Sequence, residues 1–76
     1  MLLNELPVGS KAKIEAFRQC SPEYRRRLMM LGATPGAHLE VVRIAPLGDP
    51  IEIRVRGGLI SVRKDEIEIL ELSPIS

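Results

Sequence analysis

The 76-residue chain lacks the residues and segments on which several classes of protein depend. A single cysteine excludes an internal disulfide, so burial of apolar side chains must hold the fold, as a reducing compartment allows. The first residues lack the positive segment and long apolar run of a signal peptide. No apolar run approaches the ~20 residues of a membrane-spanning helix. We therefore expect one soluble, cytoplasmic domain over residues 1–76, with no direct membrane insertion.

Charge and reactive side chains are equally sparse. Eleven basic and ten acidic residues leave a net charge of +1, which argues against a dedicated nucleic-acid-binding protein. The only histidine, His38, and the only cysteine, Cys20, are eighteen positions apart and lack the clustered spacing of a transition-metal site. No Gly-x-x-x-x-Gly-Lys-Ser/Thr loop is present to bind a nucleoside triphosphate. We expect no catalytic residue, no metal site and no cofactor, so this protein acts by binding rather than as an enzyme.

The sequence predicts one helix, in the first half of the chain. Ser21 is a suitable N-cap, and Pro22 suits the first helical position because its missing N–H and fixed φ cost nothing there. Gly32 can adopt the left-handed conformation that ends a helix, and the pair Pro35-Gly36 prevents its resumption. These signals place the helix at about residues 22–31.

The two sides of this helix are expected to serve different purposes. At about 100° per residue, Tyr24, Leu28 and Leu31 form a narrow stripe that should face the core. The opposite side combines methionines with arginines. Those methionines either fold back over the rim of the core or belong to a docking patch, because thioether side chains adapt to irregular partners. The candidate partner-binding residues are Arg25, Arg26, Met29 and Met30.

Alternating apolar and polar residues predict strands on both sides of the helix. Leu3 and Leu6 are spaced to be buried together, and Leu6-Pro7-Val8-Gly9 has the composition of a turn. The first strand should point Ala12, Ile14 and Ala16 inward and end at Phe17. The predicted strands are residues 11–17, residues 39–44 with an irregularity at Val42, residues 51–56, residues 59–63, and a last strand that begins at Ile67.

Two connections between the later strands carry specific expectations. Gly57-Gly58 is predicted to be the two-residue turn of a hairpin, with positive φ at both glycines. Pro46-Leu47-Gly48-Asp49-Pro50 should be a rigid link between two strands. In the last strand, the apolar side chains fall first on odd positions, Ile67 and Ile69, and then on even positions, Leu70 and Leu72. This switch suggests a bulge.

Five short strands and one short helix predict a mainly β fold, a small antiparallel barrel. Periodicity by itself leaves an SH3-like barrel and another five-stranded barrel, such as an OB-fold, both open.

Three segments together resemble the FeoA proteins of bacterial ferrous iron uptake. They are Leu31-Gly32-Ala33-Thr34-Pro35-Gly36, the stretch from Val41 to Pro50 that includes Pro-Leu-Gly-Asp-Pro, and Leu59-Ile60-Ser61-Val62-Arg63-Lys64. The resemblance covers nearly the whole chain. It implies an SH3-like barrel of about five strands, with the helix inserted between strands 1 and 2.

The resemblance also implies a partner. FeoA-like proteins are accessory to FeoB, a membrane ferrous iron transporter, so this chain is expected to dock on the cytoplasmic G domain or the adjoining region. There it would support or regulate transport by preferring one conformation of the transporter. No nucleic acid is expected as a partner, and self-association is compatible with this interpretation.

A second interpretation starts from the same fold. Similar SH3-like domains occur at the C-terminus of iron-dependent repressors of the DtxR type, so the chain could be a regulatory module of that kind. No helix-turn-helix precedes the predicted barrel, and the net charge is close to zero. Both observations argue against direct DNA binding.

Overall fold

The computed structural model describes residues 1–75, which form five strands, one α-helix and two 3₁₀ helices. In chain order these are a first 3₁₀ helix (Leu3–Glu5), β1 (Lys11–Phe17), α1 (Pro22–Met30), β2 (His38–Ile44), β3 (Ile51–Val55), β4 (Gly58–Val62), a second 3₁₀ helix (Lys64–Ile69) and β5 (Leu70–Pro74). The predicted mainly β fold, with the helix inserted between the first two strands, is confirmed.

The five strands form one antiparallel sheet in the order β4-β3-β2-β1-β5. Because β4 and β5 each pair on one side only, the sheet is barrel-like but is not closed by hydrogen bonds, and two edges remain. The predicted irregularity at Val42 is confirmed, since the β2–β3 register shifts between Val41 and Arg43.

The core of residues 1–75 is wholly apolar, with no buried polar or charged side chain. Leu3 and Leu6 are buried together, as their spacing predicted. Inward residues of every strand, together with Leu28 of α1, complete the cluster. Its largest fully buried side chains are Leu3, Ile14, Leu39, Val41, Ile51, Ile53, Val55, Val62 and Leu70.

The first strand departs from simple alternation. Ala12 and Ile14 are buried as predicted, but Ala16 is exposed. The register between β1 and β5 shifts between Ile14 and Ala16, so an extra residue reverses the alternation of side chains. Phe17, instead of Ala16, is therefore the residue that packs against the core.

The last strand begins later than predicted. Residues 64–69 form a 3₁₀ helix, so Ile67 and Ile69 precede β5 and do not belong to it. Local hydrogen bonds explain the difference: the Arg63 N–H donates to Glu66 Oε1 at 3.0 Å, and the Glu66 N–H donates to the Arg63 carbonyl at 2.9 Å. The alternation of apolar and polar residues switches before Leu70 because the 3₁₀ helix ends there and β5 begins. The predicted bulge at this point is therefore wrong.

Two turns are displaced by one residue from their predicted positions. The first turn is closed by the Ser10 N–H and the Pro7 carbonyl at 3.1 Å, with Gly9 at φ 91°. The hairpin between β3 and β4 turns at Arg56 and Gly57, whose φ values are 50° and 83°. Gly58 lies in β4 opposite Val55 and lacks the positive φ predicted for it.

Candidate docking surface on helix α1

Helix α1 begins and ends where its sequence signals place it. The Ser21 hydroxyl accepts a hydrogen bond from the Tyr24 N–H at 3.2 Å. At the other end Gly32 has φ 97°, and the N–H of Ala33 donates to the Leu28 carbonyl at 2.9 Å. Pro35 and Gly36, the latter at φ 91°, then lead into β2.

The buried side of α1 is narrower than predicted. Leu28 is 3% exposed and Tyr24 is half-buried, but Leu31 is 47% exposed. The expectation that Leu31 belongs to the buried stripe is therefore wrong. Leu31 is the C-cap residue, one position beyond the last helical residue, and it lies at the mouth of a groove instead of in the core.

The opposite side of α1 presents methionines and arginines to solvent. Met29 is 46% exposed and Met30 is 81% exposed, so Met30 does not cover the rim of the core. Together with Arg25 and Arg26, they line one shallow surface depression that begins at Pro22. The structure thus brings the four candidate partner-binding residues together on a single face.

The three arginines of α1 make no ion pair within residues 1–75. The ion pairs of that region join Arg18 to Glu71 at 2.8 Å and Arg54 to Glu40 at 3.7 Å. The α1 face therefore combines exposed thioethers with guanidinium groups that are free to meet carboxylates of another molecule.

A groove between α1 and β4 extends the apolar surface beyond the predicted patch. Leu31 contributes one side and Leu59, which is 56% exposed, contributes the other. We call it the α1–β4 groove; its lining residues are Tyr24, Arg27, Leu28, Leu31, Leu59, Ile60, Ser61, Arg63 and Glu66. Leu59 could have been found from the sequence, because alternation with the inward Ile60 points it outward.

Tyr24, which lines the groove, has a raised pKa. Partial burial, and then the nearby carboxylate of Glu66, raise the pKa of Tyr24 well above its usual range. Both causes disfavour the phenolate, so Tyr24 stays neutral over the physiological range. Arg27 acts in the opposite direction on this pKa without reversing it.

The two residues with metal-binding chemistry lie on opposite sides of α1 in chain order. His38 is exposed at the start of β2, and Cys20 is half-buried just before α1. Among residues 1–75, no group of three or more His, Cys, Asp or Glu side chains could hold a metal ion. No helix in the described part of the chain is long and apolar enough to cross a membrane.

Comparison with known proteins identifies relatives over the full length of the fold. The model of the FeoA domain family matches residues 1–74. A fusion protein of Fe(2+) transport protein A and the Fe(2+) transporter FeoB from Porphyromonas gingivalis is 32% identical over 76 residues. That match covers all of this chain but only 9% of the fusion protein.

Solved structures of FeoA proteins match the whole architecture. The FeoA protein of Chlorobium tepidum superposes with a TM-score of 0.91 at 42% identity, over 100% of this chain and 71% of that one. The FeoA of Stenotrophomonas maltophilia, described as a prokaryotic SH3 domain protein in complex with zinc, gives 0.80 at 26% identity, over 96% and 89% of the two chains. These matches identify the barrel as SH3-like.

A further solved structure, at low sequence identity, shares the fold alone. The IdeR protein of T. acidophilum superposes with a TM-score of 0.82, over 96% of this chain and 33% of that one, at 18% identity. A sequence identity this low shows a common architecture and carries no statement about function.

Proposed function

The chain belongs to the FeoA family, and from this premise we propose that it is a non-enzymatic, cytoplasmic accessory protein of ferrous iron uptake that docks on a FeoB-type transporter. The observation that carries the proposal is the fusion protein of Porphyromonas gingivalis, in which a segment similar to this entire chain is joined to the transporter. The Stenotrophomonas maltophilia relative, described as a candidate activating factor of bacterial ferrous iron transport, supports the same assignment.

The fusion also indicates how strong the contact needs to be. Two modules joined in one polypeptide meet at an effective concentration of roughly millimolar, so a weak contact is sufficient there. A separate chain must find the transporter by diffusion. We therefore expect the separate proteins to associate reversibly, with the exposed arginines of α1 assisting the encounter.

The docking chemistry follows from the exposed face of α1. Met29 and Met30 offer polarizable apolar area, and Arg25 and Arg26 offer fixed positive charge beside it. Such a surface fits a partner region that carries apolar and acidic side chains. It would regulate transport by binding one conformation of the transporter more tightly than another.

Binding to the transporter in defined nucleotide states tests the proposal. The purified chain is titrated by interferometry onto the transporter's cytoplasmic domain and onto the full transporter in nanodiscs, each without nucleotide, with GDP and with a GTP analogue. We expect association in at least one state, and lower ferrous iron uptake in cells that lack this chain. Absence of association in every state, together with unchanged uptake, would contradict the proposal.

A further inference from the structure

The outer edge of β4 carries backbone groups that the sheet leaves free. In the hairpin with a two-residue turn, Val55 and Gly58 form the closing pair and exchange both hydrogen bonds. Because hydrogen-bonded pairs alternate along an antiparallel ladder, Leu59 and Ser61 direct their N–H and C=O groups away from β3. These groups lie on the free edge of the sheet, beside the α1–β4 groove.

No other segment of residues 1–75 hydrogen-bonds to these groups, in contrast to the opposite edge of the sheet. There the amino terminus covers β5: the Met1 ammonium donates to the Leu72 carbonyl at 2.9 Å, and the Leu72 N–H donates to the Met1 carbonyl at 3.0 Å. Pro74 ends β5 with a residue that has no N–H to offer. One edge of the sheet is thus covered and the other is open.

The β4 edge also lacks the features that usually prevent strand pairing. Proteins protect an edge with charged side chains, proline or a bulge. Strand β4 reads Gly58-Leu59-Ile60-Ser61-Val62, which contains no charge and no proline. Its register with β3 is continuous over all five pairs. The edge is therefore regular enough to template a further strand.

The charges around the groove indicate the chemistry of that strand. Arg27 and Arg63 both line the α1–β4 groove, and Glu66 is turned toward Tyr24 and the Arg63 N–H. The charged residues nearest to β4 on either side in the chain, Arg56 and Arg63, are both basic, so a second copy of β4 would bring further positive charge to this edge. Antiparallel pairing about Ile60 would place Arg63 of one copy beside the Arg56-Gly57 turn of the other, and like charges would oppose it.

We propose that an extended acidic segment of the transporter partner adds to the sheet as a strand along the outer edge of β4. Its backbone pairs with Leu59 and Ser61, and its alternate side chains lie over Leu31 and Leu59 in the groove. Its carboxylates face Arg27 and Arg63. The identity of the partner rests on the proposed function, whereas the mode of binding rests on this edge.

Amide hydrogen exchange followed by NMR tests the mode of binding directly. In the free protein, the Leu59 and Ser61 amides should exchange quickly, while those of Ile60 and Val62, which face β3, are protected. When the transporter's cytoplasmic domain saturates the chain, exchange at Leu59 and Ser61 should slow by at least about tenfold. A complex that forms without this protection overturns the inference and leaves the proposed function standing.

Two other outcomes are separable in the same experiment. Absence of any complex in every nucleotide state overturns the proposed function and this inference together. If protection of the Leu59 and Ser61 amides grows with the concentration of this chain alone, a second copy occupies the edge. That result overturns the proposal of an acidic partner segment. Raising the salt concentration should weaken the true complex, because Arg27 and Arg63 are partly screened.

A matched pair of variants isolates the backbone hydrogen bond. Ser61→Pro removes an N–H that faces away from β3, so the β3–β4 ladder keeps its bonds, and Ser61→Ala retains that N–H. We expect Ser61→Pro to weaken binding by about tenfold, with Ser61→Ala close to wild type. Equal binding of the two variants, each with a native-like NMR spectrum, overturns the proposal. Exchange in the wild type decides the question if Ser61→Pro fails to fold.

Discussion

Arg56, in the turn between β3 and β4, packs its aliphatic carbons against Gly32, two residues after the end of α1. The Arg56 Nε–H donates to the Gly32 carbonyl at 3.1 Å, and Nη2 donates to Thr34 Oγ1 at 3.2 Å. These bonds hold a non-glycine residue at φ 50°, where a left-handed backbone is otherwise unfavourable. The hairpin is thereby joined to the C-terminal end of α1, which helps to fix the position of α1 beside β4.

A side chain at position 32 should meet Arg56. An ideal Cβ there would lie 3.1 Å from Arg56 Cδ and 3.3 Å from Arg56 Cβ, whereas at Gly36 it would meet nothing within 4 Å. Both glycines have positive φ, so each alanine variant should lose about 1–2 kcal/mol from backbone strain. Gly32→Ala should lose more than Gly36→Ala in urea unfolding. In a background with Arg56→Gly, the stability losses of Gly32→Ala and Gly36→Ala should become more similar. If the gap between the two losses stays the same, the side chain of Arg56 does not crowd position 32.

The two adjacent glycines of the hairpin should differ in their tolerance of a side chain. Gly57 has φ 83°, whereas Gly58 lies in β4, where an added Cβ would be 3.7 Å from the Val55 carbonyl oxygen, an ordinary contact. Gly57→Ala should lower the free energy of unfolding by about 1–2 kcal/mol. Gly58→Ala should be neutral or stabilising by up to about 1 kcal/mol. Thermal unfolding of both variants measures the contrast, and equal losses would place the turn elsewhere.

Two leucines of the same helical segment should contribute unequally to stability. Leu28 is fully packed in the core, so Leu28→Ala should cost about 2–5 kcal/mol through the cavity that it leaves. Leu31 is half in solvent, so Leu31→Ala should cost less than about 1 kcal/mol. Chemical denaturation of the two variants checks this ordering. A larger loss at Leu31 would mean that the α1–β4 groove is closed in solution.

The single tyrosine provides a spectroscopic report on the groove. Burial and Glu66 raise the pKa of Tyr24, so phenolate absorbance should appear at a higher pH than the usual value of about 10. Since the unfolded chain releases this proton first, the stabilisation is complete below about pH 10 and is lost as pH rises further. Glu66→Gln should lower the midpoint of the Tyr24 titration part of the way toward the usual value, because the partial burial of the phenol remains. A midpoint at the ordinary value in the folded wild type would contradict the burial of this phenol.

The exposed side of α1 should affect binding more than stability. Met29→Ser with Met30→Ser removes apolar area that is already wet, so the stability loss should stay under about 1 kcal/mol. Transporter binding should weaken by tenfold or more, since truncation of a central interface anchor costs about 2 kcal/mol or above. Arg25→Glu with Arg26→Glu should mainly slow association and alter its dependence on salt.

An exposed leucine in a loop away from α1 provides a control for the methionine variant. Leu47, in the β2–β3 connection, is 96% exposed and lies outside both α1 and the groove. Leu47→Ser should change neither stability nor transporter binding, which separates a specific surface from a general loss of exposed apolar area. Unchanged iron uptake in the methionine variant would move the docking surface away from α1.

The sequence by itself determined the elements whose signals are local. Ser21, Pro22 and Gly32 fixed the ends of α1, because capping and left-handed φ depend only on neighbouring residues. The alternation of apolar and polar residues placed Ile51, Ile53 and Val55 in the core. The break in this alternation at Val42 predicted the register shift in β2. The helical period placed Met29 and Met30 on the side of α1 away from the core, but it left open whether they cover the rim of the core, and the structure shows both exposed.

Tertiary structure decided the features that depend on distant partners. The pairing of β1 with β5 brings together residues more than fifty positions apart, and it exposed Ala16 in place of Phe17. The turn lies at Arg56-Gly57 instead of Gly57-Gly58, and the side chain of Arg56 supports it by donating hydrogen bonds to Gly32 and Thr34 in the segment after α1. Leu31 stayed exposed because α1 and β4 are separated by a groove. Sequence periodicity fixes the direction of a side chain, but only packing determines whether another element covers it.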